Sequence, residues 1–449
     1  MNMANSNWEE QELPRLQMLA TDLLKDAKIK GATASEIAVS MDRGLSVTAR
    51  LGEVETIEHH RSQGLGVTVY FGERKGRAST TDLTAQACQE TVDAACNIAK
   101  FAEQDPFAGL PDPKRLATKF YDLDLFHPWL LDPDQAIDLA VQCESAARDY
   151  HKDITNSEGA TVDTYRGLQL MANSLGFCYG YPTTRHSVSC SVIGQRDDSM
   201  QRDYWYSIAR ANENLESSVV IGKKAADRTI RRLQAKSLKS RKCPVIFAAE
   251  IASSLMGHFV GAISGGNLYR KSSFLLDKLG ESVFPEFVHI HEKPHLNKGL
   301  GSTLVDSEGV ATQPHDLINA GILTSYVLSS YSARKLDMET TGNSGGVHNL
   351  IIDPSNMGFD ELLKEMGAGL IVTEIMGQGV NLVTGDYSRG VAGFWVENGE
   401  IQYPVEEITV AGNLKDMFRT LVAVGNDVDT RKNIRTGSIL IEEMSVAGN

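Results

Sequence analysis

Apolar positions recur at three- and four-residue spacing over residues 14–28, where Leu16, Leu19, Leu23 and Ala27 share one side, so this stretch predicts an amphipathic helix that stops at Gly31. The period then shortens to two. Alternating runs at 37–39, 45–49, 54–58 and 65–71 predict strands, separated by turn-forming residues at 42–44, 51–53 and 63–64, as in an antiparallel meander. Helical spacing returns after Thr84, an N-cap candidate, and continues to about Phe101 with Cys88, Val92, Ala95 and Ala99 on one close-packing face. Asp132 and Pro133 supply the cap and first residue of a further helix reaching Ala147. Strand-like runs follow at 168–177, 186–193 and 204–209, then helical spacing at 215–233.

The basic, polar stretch 236–242 precedes the apolar run 244–249 and marks the expected boundary between two domains. Residues 1–238 predict an N-terminal α+β domain, an antiparallel sheet with helices, and residues 239–449 a β-rich C-terminal domain. In the second half, helical spacing at 251–263 and a helix opening at Asn413 punctuate turn-rich strand segments, and Asn398-Gly399 between alternating runs predicts a type I′ hairpin. Strands gathered with few crossover helices favour an α+β fold over a doubly wound parallel sheet.

Composition narrows the functional classes. A chain of 449 residues, 42% hydrophobic and 23% charged, reads as a soluble globular protein with ample core. Its net charge of -14 argues against direct nucleic-acid binding, which depends on Lys and Arg neutralising phosphates. The opening residues carry Trp8, Glu9, Glu10 and Glu12 in place of a basic start and apolar run, and no apolar run is long enough to span a membrane, so a cytoplasmic location is expected. Cys88, Cys96, Cys143, Cys178, Cys190 and Cys243 form no C-x-x-C pair, which is the usage of a reducing compartment.

Short catalytic strings are weak here. His291-Glu292-Lys293-Pro294-His295 satisfies H-E-x-x-H, but Pro294 inside the string prevents the helix that would present both imidazoles to one zinc ion. A metal role would have to use His289, His291 and His295 from an extended segment. Gly342-Asn343-Ser344-Gly345-Gly346 matches G-x-S-x-G, yet helix precedes and strand follows, the reverse of a nucleophile elbow. No phosphate-binding glycine loop occurs. His59, His60, His127, His151, His186, His258, His315 and His348 stand apart from one another in sequence. Asp386 and Arg389 are better candidates because the glycines around them expose backbone, and a structural ion pair between the two is the competing reading.

The long segment 377–405, beginning Gly377-Gln378-Gly379-Val380-Asn381 and containing Thr384-Gly385-Asp386-Tyr387-Ser388-Arg389-Gly390, resembles the C-terminal signature of the PmbA/TldD family, also called modulators of DNA gyrase. Blocks at 52–55, 64–67 and 75–79, and again at 306–309, 316–323 and 331–336, resemble the same family. The resemblance implies a two-domain α+β protein acting in the cytoplasm as one half of a heterodimer. Such a pair trims unfolded or modified peptides, including a microcin precursor and an antitoxin. The family's metal-binding subunit carries H-E-x-x-x-H on a helix and a later cysteine. In the corresponding region here His258-Phe259-Val260-Gly261-Ala262-Ile263 has Phe in place of the Glu and Ile in place of the second His, and residues 424–427 contain no cysteine.

This departure implies the family's metal-free subunit, with no cofactor of its own, zinc held by a TldD-like partner, and an unfolded peptide as substrate. Gly377, Gly379, Gly385, Asp386, Ser388, Arg389 and Gly390 are the expected peptide contacts, through main-chain bonds that glycine permits at close range. Two alternatives remain open: a self-sufficient metallopeptidase using the His289, His291 and His295 segment, and a non-enzymatic protein that modulates gyrase. The isolated chain is a candidate homodimer.

Overall fold

The computed structural model describes residues 8–448, so the first seven residues of the opening stretch read above, and Asn449, lie outside the described residues. Its first part contains α1 (Trp8–Ile29), β1 (Ala34–Arg50), β2 (Glu53–Phe71), β3 (Arg74–Thr80), α2 (Ala85–Phe101), α3 (Pro133–Arg148), β4 (Ile154–Asn173), β5 (Cys178–Arg196), β6 (Ser199–Ala209) and α4 (Ser218–Arg231). The six strands form one antiparallel sheet in the order β3-β2-β1-β4-β5-β6. One face is covered by helices in two patches. Leu16, Ala20, Leu23, Cys88, Val92 and Ala95 pack on Ile37, Val39, Leu65 and Val67, while Ala136, Ala140, Cys143, Ile221 and Ala225 pack on Val47, Val162 and Val192.

Local signals set these helices where the sequence predicts them. The Thr84 side chain caps α2 by accepting from the Ala87 amide, and Asp132 and Gln135 make a reciprocal capping box at α3. The turns expected at 42–44 and 63–64 are absent: β1 and β2 run unbroken through them, pairing Asp42 with Ser62 and Gly44 with His60. Gly44 serves a close approach, since a Cβ there would lie 2.7 Å from the Thr164 carbonyl oxygen on β4. Helix α1 starts before Pro14 because Trp8 and Glu9 are buried, Trp8 beneath the Arg43 guanidinium at 4.4 Å.

The second part contains β7 (Arg241–Phe247), α5 (Ala249–Ala262), α6 (Gly265–Tyr269), β8 (Ile290–Glu292), β9 (His315–Asn319), β10 (Ile322–Leu323), α7 (Ser330–Lys335), β11 (Leu350–Ile352), α8 (Phe359–Met366), β12 (Gly369–Met376), β13 (Asp386–Glu397), β14 (Glu400–Asn413), α9 (Leu414–Arg419), β15 (Leu421–Val424), β16 (Ile434–Arg435) and β17 (Ile439–Ala447). A six-stranded mixed sheet, β14-β13-β12-β7-β17-β15, has α8 on one face and α5 with α9 on the other, and a five-stranded sheet, β10-β9-β8-β11-β16, packs near α5. Alternation along β7 assigns the layers: Val245 and Phe247 join the α5 core and Ile246 the α8 core. The fold is α+β. Asn398 and Gly399 both have positive φ, 54° and 72°, as the hairpin turn between β13 and β14 requires.

All six cysteines are free, five of them buried, consistent with thiols used as small hydrophobes. No helix among the described residues is long and apolar enough to cross a membrane.

Candidate functional site

Between β12 and β13 the chain makes a small hairpin of its own. The Ser388 amide donates to the Gly379 carbonyl at 2.7 Å, the Asn381 amide to the Asp386 carbonyl at 2.9 Å, and Val380 bridges Tyr387. A Cβ on Gly379 would overlap the Ser388 carbonyl oxygen, so the crossing tolerates only glycine. Gly377 opens the loop with φ 75° in open space, and Gly385 closes it with φ 89° against the Asn413 side chain.

Asp386 is exposed and accepts from Thr384 Oγ1 at 2.6 Å and Asn413 Nδ2 at 3.1 Å, and these bonds hold its carboxyl below the usual range. Arg389 donates from Nε to the Met376 carbonyl at 3.1 Å. No ion pair joins Asp386 to Arg389, so the competing structural reading of that pair is not what the chain adopts. The seven residues singled out in sequence lie in one loop and one strand end. Ser388 is exposed, while Gly390 is paired with Met376 on one side and Thr409 on the other.

This loop lies against the C-terminal half of α5. Leu382 packs over Gly261, where a Cβ would be 3.1 Å from Leu382 Cδ1, and its carbonyl accepts from the Phe274 amide at 2.8 Å. Tyr387 is buried edge-on to His258, ring centroids 5.9 Å apart. His258 Nε2 and Tyr387 Oη are both buried without a hydrogen-bond partner. Burial, helped by the charge of Arg389, pulls the His258 pKa below the ordinary imidazole value.

Further along the same helix, Glu250 and Ser254 face a cleft of about 350 Å³ between the first sheet and the mixed sheet. Trp205 and Tyr206 on β6 form one wall, Thr373, Glu374 and Arg389 another. The Arg431 guanidinium stacks 3.8 Å from the Trp205 ring centroid and is held by Asp429 at 2.8 Å and 3.0 Å. Lys432 donates to the Glu250 carbonyl at 2.6 Å. Six cationic side chains and three carboxylates line the cleft; Arg202 is paired with Glu158, Arg228 and Arg232 with Asp203, and Arg431 with Asp429, so among the described residues Arg389 and Lys432 are its cations without an ion pair. Sequence reasoning missed Trp205, Arg431 and Lys432. The one local signal for the last two was the adjacent Arg431-Lys432 pair.

The histidine segment of the alternative reading does not converge. Residues 290–292 are extended, as Pro294 requires, and the imidazoles have separate partners: His289 Nδ1 with the Ala320 amide, His295 Nε2 with Thr312 Oγ1 at 2.9 Å. His291 is clamped between Asp316 at 2.6 Å and Asp353 at 2.9 Å. Glu292 is buried and accepts from Asn343 Nδ2 and the His348 amide, which makes the G-x-S-x-G string a support for that carboxylate. Among the described residues no group of three or more His, Cys, Asp or Glu could hold a metal ion.

Burial pulls the His291 pKa down, but its bonds to Asp316 and Asp353 and their charges outweigh that and raise it above the ordinary value. Its stabilising contribution is therefore fully present below the unfolded imidazole pKa, about 6.5, and is lost as pH rises through the folded value. Urea unfolding at about pH 6 and about pH 9 is expected to show a smaller loss of stability across that interval in His291→Gln than in the parent chain.

Three family models match the sequence: the PmbA/TldA metallopeptidase domain 1 over residues 35–99, the central domain over 126–233 and the C-terminal domain over 240–448. Metalloprotease PmbA of Escherichia coli O157:H7 is 53% identical over 425 residues, covering 95% of this chain and 94% of that protein. The Haemophilus influenzae metalloprotease PmbA homolog is 47% identical over 442 residues, covering 98% and 97%. Among solved structures, a proposed modulator of DNA gyrase from Bacteroides thetaiotaomicron superposes with TM-score 0.91 at 27% identity, covering 96% of this chain and 98% of that one. TldE from Thermococcus kodakarensis has the same fold, TM-score 0.84 at 21% identity, covering 96% and 100%.

Proposed function

This chain belongs to the PmbA/TldA metallopeptidase family, and we propose that within it the chain is the metal-free subunit of a two-chain peptidase, completing the peptide chamber of a zinc-bearing TldD-like partner. The observation that carries this reading is the state of α5. Where the resemblance puts the ligands of the family's metal-binding subunit, His258 stands as one imidazole beside a tyrosine ring, and Gly261 is roofed by Leu382. One nitrogen donor beside a tyrosine ring and the charge of Arg389 does not fit zinc, which takes at least three protein ligands from His, Cys or carboxylate. No catalytic step is assigned to this chain.

Its own residues instead suit binding. The glycine hairpin at 377–390 offers exposed backbone to an extended peptide, and the cationic cleft beside it suits carboxylates of that peptide or its C-terminus. Unfolded or modified peptides, among them microcin precursors and antitoxins, are the substrate class, and the cytoplasm is the compartment. The two folding units meet at residues 238 and 239.

The test is metal content and peptidase activity of the purified chain, alone and mixed with a TldD-like partner, on an unfolded peptide. The chain alone is expected to hold no stoichiometric zinc and cleave nothing, and the mixture to exceed the partner alone. Bound zinc with activity in the isolated chain overturns the reading. Exchanging the charges, Asp386→Arg with Arg389→Asp, is expected to lower processing by the pair roughly tenfold, as loss of positioned polar contacts does. Unchanged processing removes these residues from the binding surface.

A further inference from the structure

A separate cleft of about 770 Å³ lies where the connection from α2 to α3 crosses the second part of the molecule, and it shares no lining residue with the cleft beside α5. Its size is that of a ligand site, about 300–1,000 Å³. After a short 3-10 turn at Pro113–Arg115, Leu116 bridges Val310, the Ala311 amide donates to the Arg115 carbonyl at 2.9 Å and the Ala117 amide to the Gly309 carbonyl at 3.1 Å. This short antiparallel pairing holds Lys114, Arg115 and Lys119 on the cleft, and His295, Thr312 and His315 line it from the second part. No lining residue is a carboxylate, in a chain with 58 Asp and Glu against 44 Lys and Arg.

The carboxylates nearby answer only part of that positive charge. Glu339 pairs with Arg115 and the buried Glu292 lies 3.4 Å from His315 Nε2, while Asp112 accepts from the Lys114 amide at 2.9 Å and Asp122 from the Asp124 amide at 2.7 Å. Among the described residues Lys114 and Lys119, both exposed, have no ion pair. We propose that this cleft binds an extended acidic peptide, with carboxylates on Lys114 and Lys119 and a main-chain N–H on His295. Thr312 Oγ1 donates its one proton to the Thr303 carbonyl at 2.7 Å, so it must accept from His295 Nε2 at 2.9 Å. Burial, helped by the charge of His348, pulls the His295 pKa below the ordinary value. The ring is therefore neutral at neutral pH, and Nδ1 is left as an acceptor beside the lysines. A peptide brings N–H donors together with its carboxylates, which a small carboxylate anion does not. Phosphate is disfavoured as well, because the unpaired cations are lysines, point charges, and the guanidinium fork that suits phosphate is already held by Glu339.

Both lysines lie outside the cleft beside α5, so this site can fail with the peptidase reading intact. The test is fluorescence anisotropy of a labelled octapeptide alternating Glu and Gly, titrated with the full chain. Binding is expected, weakening as salt screens the lysines, and a peptide alternating Gln and Gly should bind roughly tenfold more weakly. Lys114→Glu with Lys119→Glu should cost the acidic peptide roughly tenfold in affinity at an unchanged melting temperature, since both side chains are exposed. Citrate and phosphate should each compete roughly tenfold more weakly than the unlabelled acidic peptide, because they offer charge without the N–H that His295 accepts. Equal affinity for the two peptides, binding indifferent to the lysine exchange, or either anion competing as well as the unlabelled peptide overturns the proposal.

Discussion

Arg166→Ala is expected to destabilise the protein by about 3–5 kcal/mol, the cost of leaving a buried carboxylate without its partner. Arg166 lies midway along β4, paired across to Arg43 on β1, and its side chain reaches the first turn of α1. Nε donates to Glu9 Oε1 at 2.8 Å and Nη2 to Glu9 Oε2 at 2.7 Å, a two-point fork on one carboxylate. The two side chains are 10% and 3% exposed. Alanine removes the cation that bonds Glu9 and leaves that buried carboxylate with only the nearby charge of Arg43, so α1 must lift its N-terminal turn into water or keep a poorly compensated charge.

The comparison with a double substitution separates these contributions. Glu9→Leu with Arg166→Met exchanges the pair for apolar volume, and buried pairs replaced in that way often cost little or nothing. Urea unfolding of the three variants, with the slope unchanged, is the measurement. A loss under about 1 kcal/mol for Arg166→Ala would mean that water reaches Glu9, as at surface pairs.

The same corner of the molecule shows what the sequence hides. Pro14 reads as the start of a helix because proline is favoured in a first turn, and nothing local says that Glu9 has a partner far along the chain. Likewise Asp42-Arg43-Gly44 has turn composition, and only the close passage of β4 at Thr164 explains a glycine in mid-strand. Signals that close within a few residues are legible: the caps at Thr84 and Asp132 and the turn at Asn398-Gly399 fall where their side chains or φ angles dictate. The candidate site divides in the same manner. The glycine run is local and its residues could be singled out, though not their hairpin pairing, whereas Arg431 meets Tyr206 from 225 positions away, and neither segment by itself announces the cleft they share. The segment around His291 was readable for a negative reason, since Pro294 forbids the helix that a two-histidine zinc site needs.

Gly379→Ala is expected to lower peptide processing by the reconstituted pair roughly ten- to hundredfold, the range reached when a positioning element moves by about 1 Å. The added methyl would occupy the space of the Ser388 carbonyl oxygen, which is backbone and cannot swing aside. Relief requires opening the bond from the Ser388 amide to the Gly379 carbonyl and shifting the loop between them. Leu382 rides on that loop, so its packing over Gly261 moves with it. Most of the loop is exposed and only Val380 and Leu382 pack on the core, which confines the damage, and the melting temperature should change by only a few degrees. Gly377→Ala is the control: its φ of 75° makes alanine strained, about 1 kcal/mol, but nothing lies within 4 Å of the new methyl. Processing should therefore fall far less than with Gly379→Ala. Equal, small effects of both substitutions at unchanged stability would show that the hairpin does not touch the peptide and would move the contact into the cleft at Trp205 and Arg431.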